Sequence, residues 1–192
     1  MTTSPTVAVY AIDPGISRFI VRAFAGGMFS AFGHNPTVAI RDFEGEARFS
    51  PDALDEARLV VRIKASSFTL TDNMSDKDRG ELELTLNQDV LETSRYPEIS
   101  FESTKVSASK AGDGQFFVTV VGTLTLHGVS NTQAVSAQIA LTGDMLRAHG
   151  EFSVLQSAYG IQPVSVAGGA LKVEDELKCS FDIVGRKKVD NS

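Results

Sequence analysis

Three histidines, one cysteine and a cluster of carboxylates are the side chains of this 192-residue sequence best suited to chemistry. Their spacing argues against most of it. Imidazoles bind transition metals when several converge within a few ångströms. Here His149 shares an outward strand register with Arg147 and Glu151, His127 ends a strand at a Gly128 turn, and His34 lies in the loop Gly33-His34-Asn35-Pro36. A shared three-histidine site is therefore not expected. Cys179 falls between Leu177 and Phe181 on an apolar strand face, where desolvation disfavours the reactive thiolate. A lone cysteine closes no intrachain disulfide and offers too few sulfurs for structural zinc. The chain lacks the Gly-x-Ser-x-Gly elbow of a serine nucleophile. No glycine-rich loop stands in the strand-turn-helix setting that cradles phosphate. Asp72, Asp76, Asp78, Glu81 and Glu83 lack the glycine and spacing of a calcium loop and read as a solvated helix start. No catalytic residue, metal ligand or cofactor is expected.

His34 differs from the other two. It follows the apolar group Met28, Phe29, Ala31 and Phe32 and precedes a turn stiffened by Pro36. There it either satisfies a carbonyl of its own loop or donates to the polar end of a ligand.

Composition narrows the class. With 42% hydrophobic and 22% charged residues the chain reads as one globular domain. Twenty-four acidic against eighteen basic side chains give a formal charge of −6, which argues against nucleic acid or an anionic membrane as the main partner. No apolar run approaches the roughly 18 residues of a spanning helix. The segment Met1 to Thr6 has neither a basic nor an apolar leader character, so a cytoplasmic location is expected.

The elements that must position any site are strands. Alternation is clearest from Phe116 to Leu126, where Phe116, Val118, Val120, Gly122, Leu124 and Leu126 share one face. The same period sorts Leu59, Val61 and Ile63; Ala137, Ile139 and Leu141; Leu146 through Val154; and Leu177, Cys179, Phe181 and Ile183. Weaker strands fill Val7–Asp13, Ser17–Ala25, Thr37–Phe49 and Ile99–Val106, with a slip in parity between Ile40 and Phe43. Turn chemistry at Asp13-Pro14-Gly15, Ala111 to Gly114, His127-Gly128 and Thr142 to Asp144 implies hairpins and antiparallel pairing. Asp78 to Leu91 breaks the pattern. Leu82, Leu86 and Val90 recur at helical spacing, which predicts one amphipathic helix with acidic residues at its start.

Eight or more antiparallel strands either stack as two sheets or close into a barrel, and periodicity leaves both open. Long strands with little protection of their edges favour the all-β barrel. Twelve phenylalanines, three tyrosines and no tryptophan supply apolar area without polar groups to satisfy. Many phenylalanines fall on inward registers, as either a filled core or the wall of a cavity.

Tyr10-Ala11-Ile12-Asp13-Pro14, Ala31 to Pro36, Arg95-Tyr96-Pro97-Glu98-Ile99-Ser100-Phe101, Gly122-Thr123-Leu124-Thr125-Leu126-His127-Gly128 and Tyr159 to Pro163 together resemble the YceI-like family of lipid-binding barrels. The resemblance spans about residues 7 to 187. It implies an extended lipocalin-like, eight-stranded antiparallel β-barrel that encloses a polyisoprenoid or quinone-like chain, often as a homodimer. On this reading the protein is a non-enzymatic binder or carrier of a hydrophobic small molecule, with an isoprenoid-like or fatty lipid bound. The expected wall comprises Phe19, Val21, Phe43, Phe101, Val118, Val120, Leu124, Ile139, Phe152 and Phe181. The predicted helix, with Leu82, Leu86 and Val90, and Phe68 and Met74 before it, would lie near one opening and gate entry, and Phe32 is a further ligand-binding candidate. His34 and Tyr159 are the candidates for the ligand's polar end. The rival readings are an enzyme acting on a lipid-like substrate through His34 and a ligand-free barrel used for protein contacts.

Overall fold

A computed structural model describes residues 7–26, 35–50, 53–166 and 171–188. Its strands are β1 (Ala8–Ile12), β2 (Arg18–Arg22), β3 (Ala25–Gly26), β4 (Thr37–Ile40), β5 (Phe43–Ser50), β6 (Ala53–Lys64) and β7 (Phe68–Leu70), followed by helix α1 (Asp76–Thr85). The second half contributes β8 (Glu98–Gly112), β9 (Gln115–Leu126), β10 (Val129–Thr142), β11 (Met145–Leu155), β12 (Ser165–Val166), β13 (Leu171–Val173) and β14 (Glu176–Lys187). Hydrogen-bonded neighbours run β1-β5-β6-β8-β9-β10-β11-β14 and return to β1, a closed antiparallel barrel of eight strands. β2, β4 and β7 extend the wall beyond β1, and β3, β12 and β13 form a separate small sheet. No helix among the described residues is long and apolar enough to cross a membrane.

The turns act as the sequence predicts at three sites. Asp113-Gly114, His127-Gly128 and Gly143-Asp144 connect successive paired strands, and Gly114, His127, Gly128 and Gly143 all have positive φ. Such tight turns match the twist of the strands they join. The fourth site differs. Asp13 to Ser17 joins no hairpin, because β1 and β2 do not pair with each other; both lie on β14, at Ile12↔Gly185 and Arg18↔Asp182. The segment is a jog in one wall strand, stitched down by side chains. Buried Ser17 accepts the Val184 N–H at 2.9 Å, Asp13 donates its N–H to the Val184 carbonyl at 2.8 Å, and Arg186 donates to the Asp13 carboxylate. That guanidinium holds the Asp13 carboxyl below its usual range. The slip between Ile40 and Phe43 appears as the break between β4 and β5.

The predicted helix forms, but its inward face is not the expected leucine stripe. Ser75 caps α1 by accepting the Asp78 N–H at 3.1 Å, which starts the helix two residues early, and a π-helical turn over Leu86–Val90 ends it. No residue of α1 is buried, and Leu82 and Leu84 remain 50% and 55% exposed. The reason lies in β7, whose free sheet edge needs partners. Arg79 donates to the Leu70 and Asp72 carbonyls, and Glu83 accepts the Leu70 N–H at 2.9 Å. Within α1 the face turned to the barrel is therefore polar; of the expected stripe Leu82 is exposed, while Leu86 and Val90, in the π-helical turn, pack against the core.

Three buried clusters fill the interior. One, at the helix end, gathers Phe68, Leu70, Val90, Leu91, Tyr159 and Ile161 with their neighbours. The others lie nearer the hairpin turns, around Tyr10, Phe49 and Leu146, and around Val106, Val118 and Val120. Two glycines on the inward register admit aromatic rings. A Cβ at Gly150 would stand 2.2 Å from the Ser136 carbonyl oxygen and 2.8 Å from the Phe181 ring; one at Gly122 would meet the Phe101 ring at 2.5 Å. Gly150→Ala must therefore displace backbone as well as a ring. Urea titration is expected to show a fall in stability of about 1 to 3 kcal/mol, seen as a lower midpoint at unchanged slope.

Candidate functional site

The ladder registers of β5, β6 and β8 to β11 send alternate side chains into the barrel, and these enclose a cavity of about 200 Å³. Its wall is almost wholly carbon. Phe19, Phe101, Val118, Val120, Leu124, Ile139, Phe152 and Phe181 line it, joined by Leu59, Val61, Ile63, Ala137, Leu141, Leu146, Ala148 and Ile183 from the faces that period-2 alternation marks. Tyr10, Ala47, Leu54, Ala57, Ala108 and Val135 also border it. Alternation did not mark these. Alanines carry little periodic signal, and Asp55 and Glu56 interrupt the apolar pattern before Leu59.

A layer of rings separates this space from the helix-end cluster. Phe19 meets Phe43 edge-to-face at 5.1 Å between centroids and lies 5.9 Å from Phe181, which lies 6.5 Å from Phe152. Val21, Phe43, Phe68, Met74, Leu86 and Tyr159 pack in the helix-end core and do not border the cavity. Val21, Phe43 and Phe68 share the inward register with the lining residues but sit at a different height along the barrel, whereas Met74, Leu86 and Tyr159 come from the non-strand segments that pack over that end. Phe32 and His34 lie outside the described residues.

Polar groups at this level are few. Arg58 is the charged residue on the cavity border; its guanidinium turns back to the carbonyls of Glu56 and Ala57, at 3.2 and 2.9 Å. Tyr10 stacks on Phe49 at 5.2 Å. His127 serves the fold. Its Nε2 lies 2.7 Å from Glu92 Oε2, its Nδ1 lies 3.2 Å from the Tyr159 carbonyl, and its ring packs on Tyr96, so it ties the turn after the π-helical segment to the β9–β10 turn. His149 is exposed on the outer face. Among the described residues no three His, Cys, Asp or Glu side chains gather as ligands for one metal ion.

An eight-stranded closed barrel around a carbon-lined cavity, with its hydrogen-bonding groups spent on the fold, defines the class of molecule. The chain belongs to the YceI-like family, whose model matches residues 10–185. Among curated relatives it is similar to a UPF0312 protein of Pseudomonas fluorescens, 30% identical over 132 residues, covering 67% of this chain and 63% of that protein. A UPF0312 protein of Shewanella baltica is 29% identical over 132 residues, covering 68% and 64%. The chain thus spans slightly under two thirds of the length of these relatives. Among solved structures, BcnA of Burkholderia cenocepacia superposes with a TM-score of 0.70 at 20% identity, covering 90% of this chain and 98% of that one. A polyisoprenoid binding domain from Saccharophagus degradans, implicated in plant cell wall breakdown, superposes at 0.65 with 14% identity, covering 93% and 98%. At these identities the superpositions establish a shared fold.

Cys179 packs with the helix-end cluster, and burial pushes its thiol up to about 12, against about 8.5 for an exposed thiol. Since the folded value is the higher, the protonated thiol favours the fold below about pH 8.5. That contribution is lost as pH rises from there through about 12. Iodoacetamide at pH 8 is expected to leave Cys179 unmodified in the native protein and to alkylate it in urea, read by intact-protein mass spectrometry. Equal modification in both states would contradict the burial.

Proposed function

We propose that the protein binds a long apolar lipid of isoprenoid type inside the barrel and holds it without chemical change. The observation that carries this reading is the cavity itself. At about 24 cal/mol per Å³ of unfilled core, about 200 Å³ forgoes about 5 kcal/mol of packing. That is comparable to the whole stability of a small domain. A wall that stays open at such a cost, and is nearly all carbon, suits an occupant that is itself hydrocarbon.

Family membership and the shared fold with a polyisoprenoid binding domain support the same reading. So does the energy available: burial at about 0.8 kcal/mol per methylene-sized group gives roughly 3 to 4 kcal/mol per isoprene unit before ordering costs. No hydrogen-bonded head group is needed for affinity at that scale. The cavity lining supports carriage over catalysis, since among the described residues it is hydrocarbon apart from Tyr10 and Arg58.

Mass spectrometry of organic extracts from natively purified protein is expected to return an isoprenoid-like lipid in stoichiometric amount. Val120 is buried on the cavity wall, so Val120→Trp fills the space while keeping an apolar residue there. This variant is expected to lose at least about tenfold in lipid affinity, or about 1.4 kcal/mol, with an unchanged circular dichroism spectrum. Unaltered affinity in a folded Val120→Trp protein would refute binding at this cavity.

A further inference from the structure

We propose that the apolar chain enters and leaves the barrel sideways, between β6 and β8. This rests on the lipid-binding reading and adds the path of exchange. The β6–β8 ladder joins Val60–Lys64 to Glu98–Glu102 and goes no further. Below it, Ala53 to Leu59 pair with β5 alone, and Ser103 to Gly112 pair with β9 alone. Two strand edges therefore face each other without a ladder along the lower half of the barrel.

The end of the ladder is built into the chain. A register shift between Ser103 and Lys105 turns β8, and the buried Ser103 hydroxyl takes the Leu59 N–H at 2.8 Å where a ladder carbonyl would otherwise accept it. Past that point Arg58 bonds to carbonyls of its own strand rather than reaching across to β8. The banks of the seam carry Ala57 and Leu59 on one side and Val106 and Ala108 on the other, all bordering the cavity. Ile12, Arg58 and Leu59 also border a groove of about 700 Å³ on the outer surface.

Parting two laddered strands costs every hydrogen bond of the ladder between them. At this seam the Leu59–Ser103 hydrogen bond and the apolar contacts below it must part, which places it among the low-energy openings of the fold. Among the described residues, Leu70, Val90, Leu91 and Ile161 pack together at the helix end, and nearer the hairpin turns Tyr10 stacks on Phe49.

The test staples the seam from outside. Glu56 and Ser107 are exposed on opposite banks, so Glu56→Cys/Ser107→Cys can be joined by a cleavable bifunctional thiol reagent without touching the cavity wall. This variant and its control are made in a Cys179→Ser background, so that the half-buried native thiol does not compete. Thr119→Cys/Ser136→Cys, across a laddered pair of β9 and β10, is the control. Stopped-flow fluorescence with all-trans-retinol follows uptake and release. The seam staple is expected to slow both by about tenfold or more, to leave the equilibrium affinity within about twofold, and to be reversed on cleavage; the control staple alters neither rate. Unchanged rates in a stapled protein that still binds retinol overturn the lateral route and leave lipid binding standing. Failure of the unstapled protein to bind retinol or a shorter prenyl alcohol overturns both.

Discussion

The structure depends on one strand having partners along both edges. β14 pairs with β11 from Met145 to Leu155 and, on its other edge, with β2 and then β1. Without that second set of bonds the sheet would end in two exposed edges, and its apolar face would have no enclosed side. Closure also fixes register. A slip of one residue in β14 would send Phe181 and Ile183 to solvent and bring Asp182 inside. The jog at Asp13 to Ser17 is where the closing seam must change partner strands, and there the Ser17 hydroxyl takes over from the ladder. The carbon-lined interior follows from this closure, since inward and outward positions keep their parity around the whole ring.

The outer surface reinforces the same seam. Arg186 reaches Asp13, Lys188 and Arg48 both reach Glu46, and Arg147 forms a two-point pair with Asp182. Exposed pairs of this kind are individually weak. Their placement matters more than their strength, because most connect β14 and the residue after it to neighbouring strands. Between β6 and β8 the ion pair Arg62–Glu98 lies within the laddered portion, and none is formed below it among the described residues. Among the described residues the outer ion pairs therefore gather where the wall closes rather than where the β6–β8 ladder stops.

Much of this was legible from alternation. β9 has long apolar side chains on one face and threonines on the other, so its inward set was readable residue by residue; β10, β11 and β14 were nearly as clear. The lower halves of β6 and β8 were not. Their inward positions hold Ala57 and Ala108, their outward ones Asp55, Glu56, Ser107 and Ser109, and together these resemble a polar loop. The helix shows a second limit. Leucine spacing suggested which face of α1 to bury, but the free edge of β7 required Arg79 and Glu83 instead, and no local pattern announces a demand made by a distant strand. Depth was the third. Alternation says that Val21, Phe43 and Phe181 all point inward; only the assembled barrel separates the two in the packed end from the one that borders the cavity.

Gly122 and Gly150 set the width of the space. Each lets a phenyl ring lie back against main chain, Phe101 in one case and Phe181 in the other, so the ring occupies part of the wall's own thickness. A methyl group at either position would push an aromatic edge toward the axis. The bore is thus governed by two absent methyls. With so little hydrogen bonding on its wall, what this space offers an occupant is a cross-section, and those two positions define it.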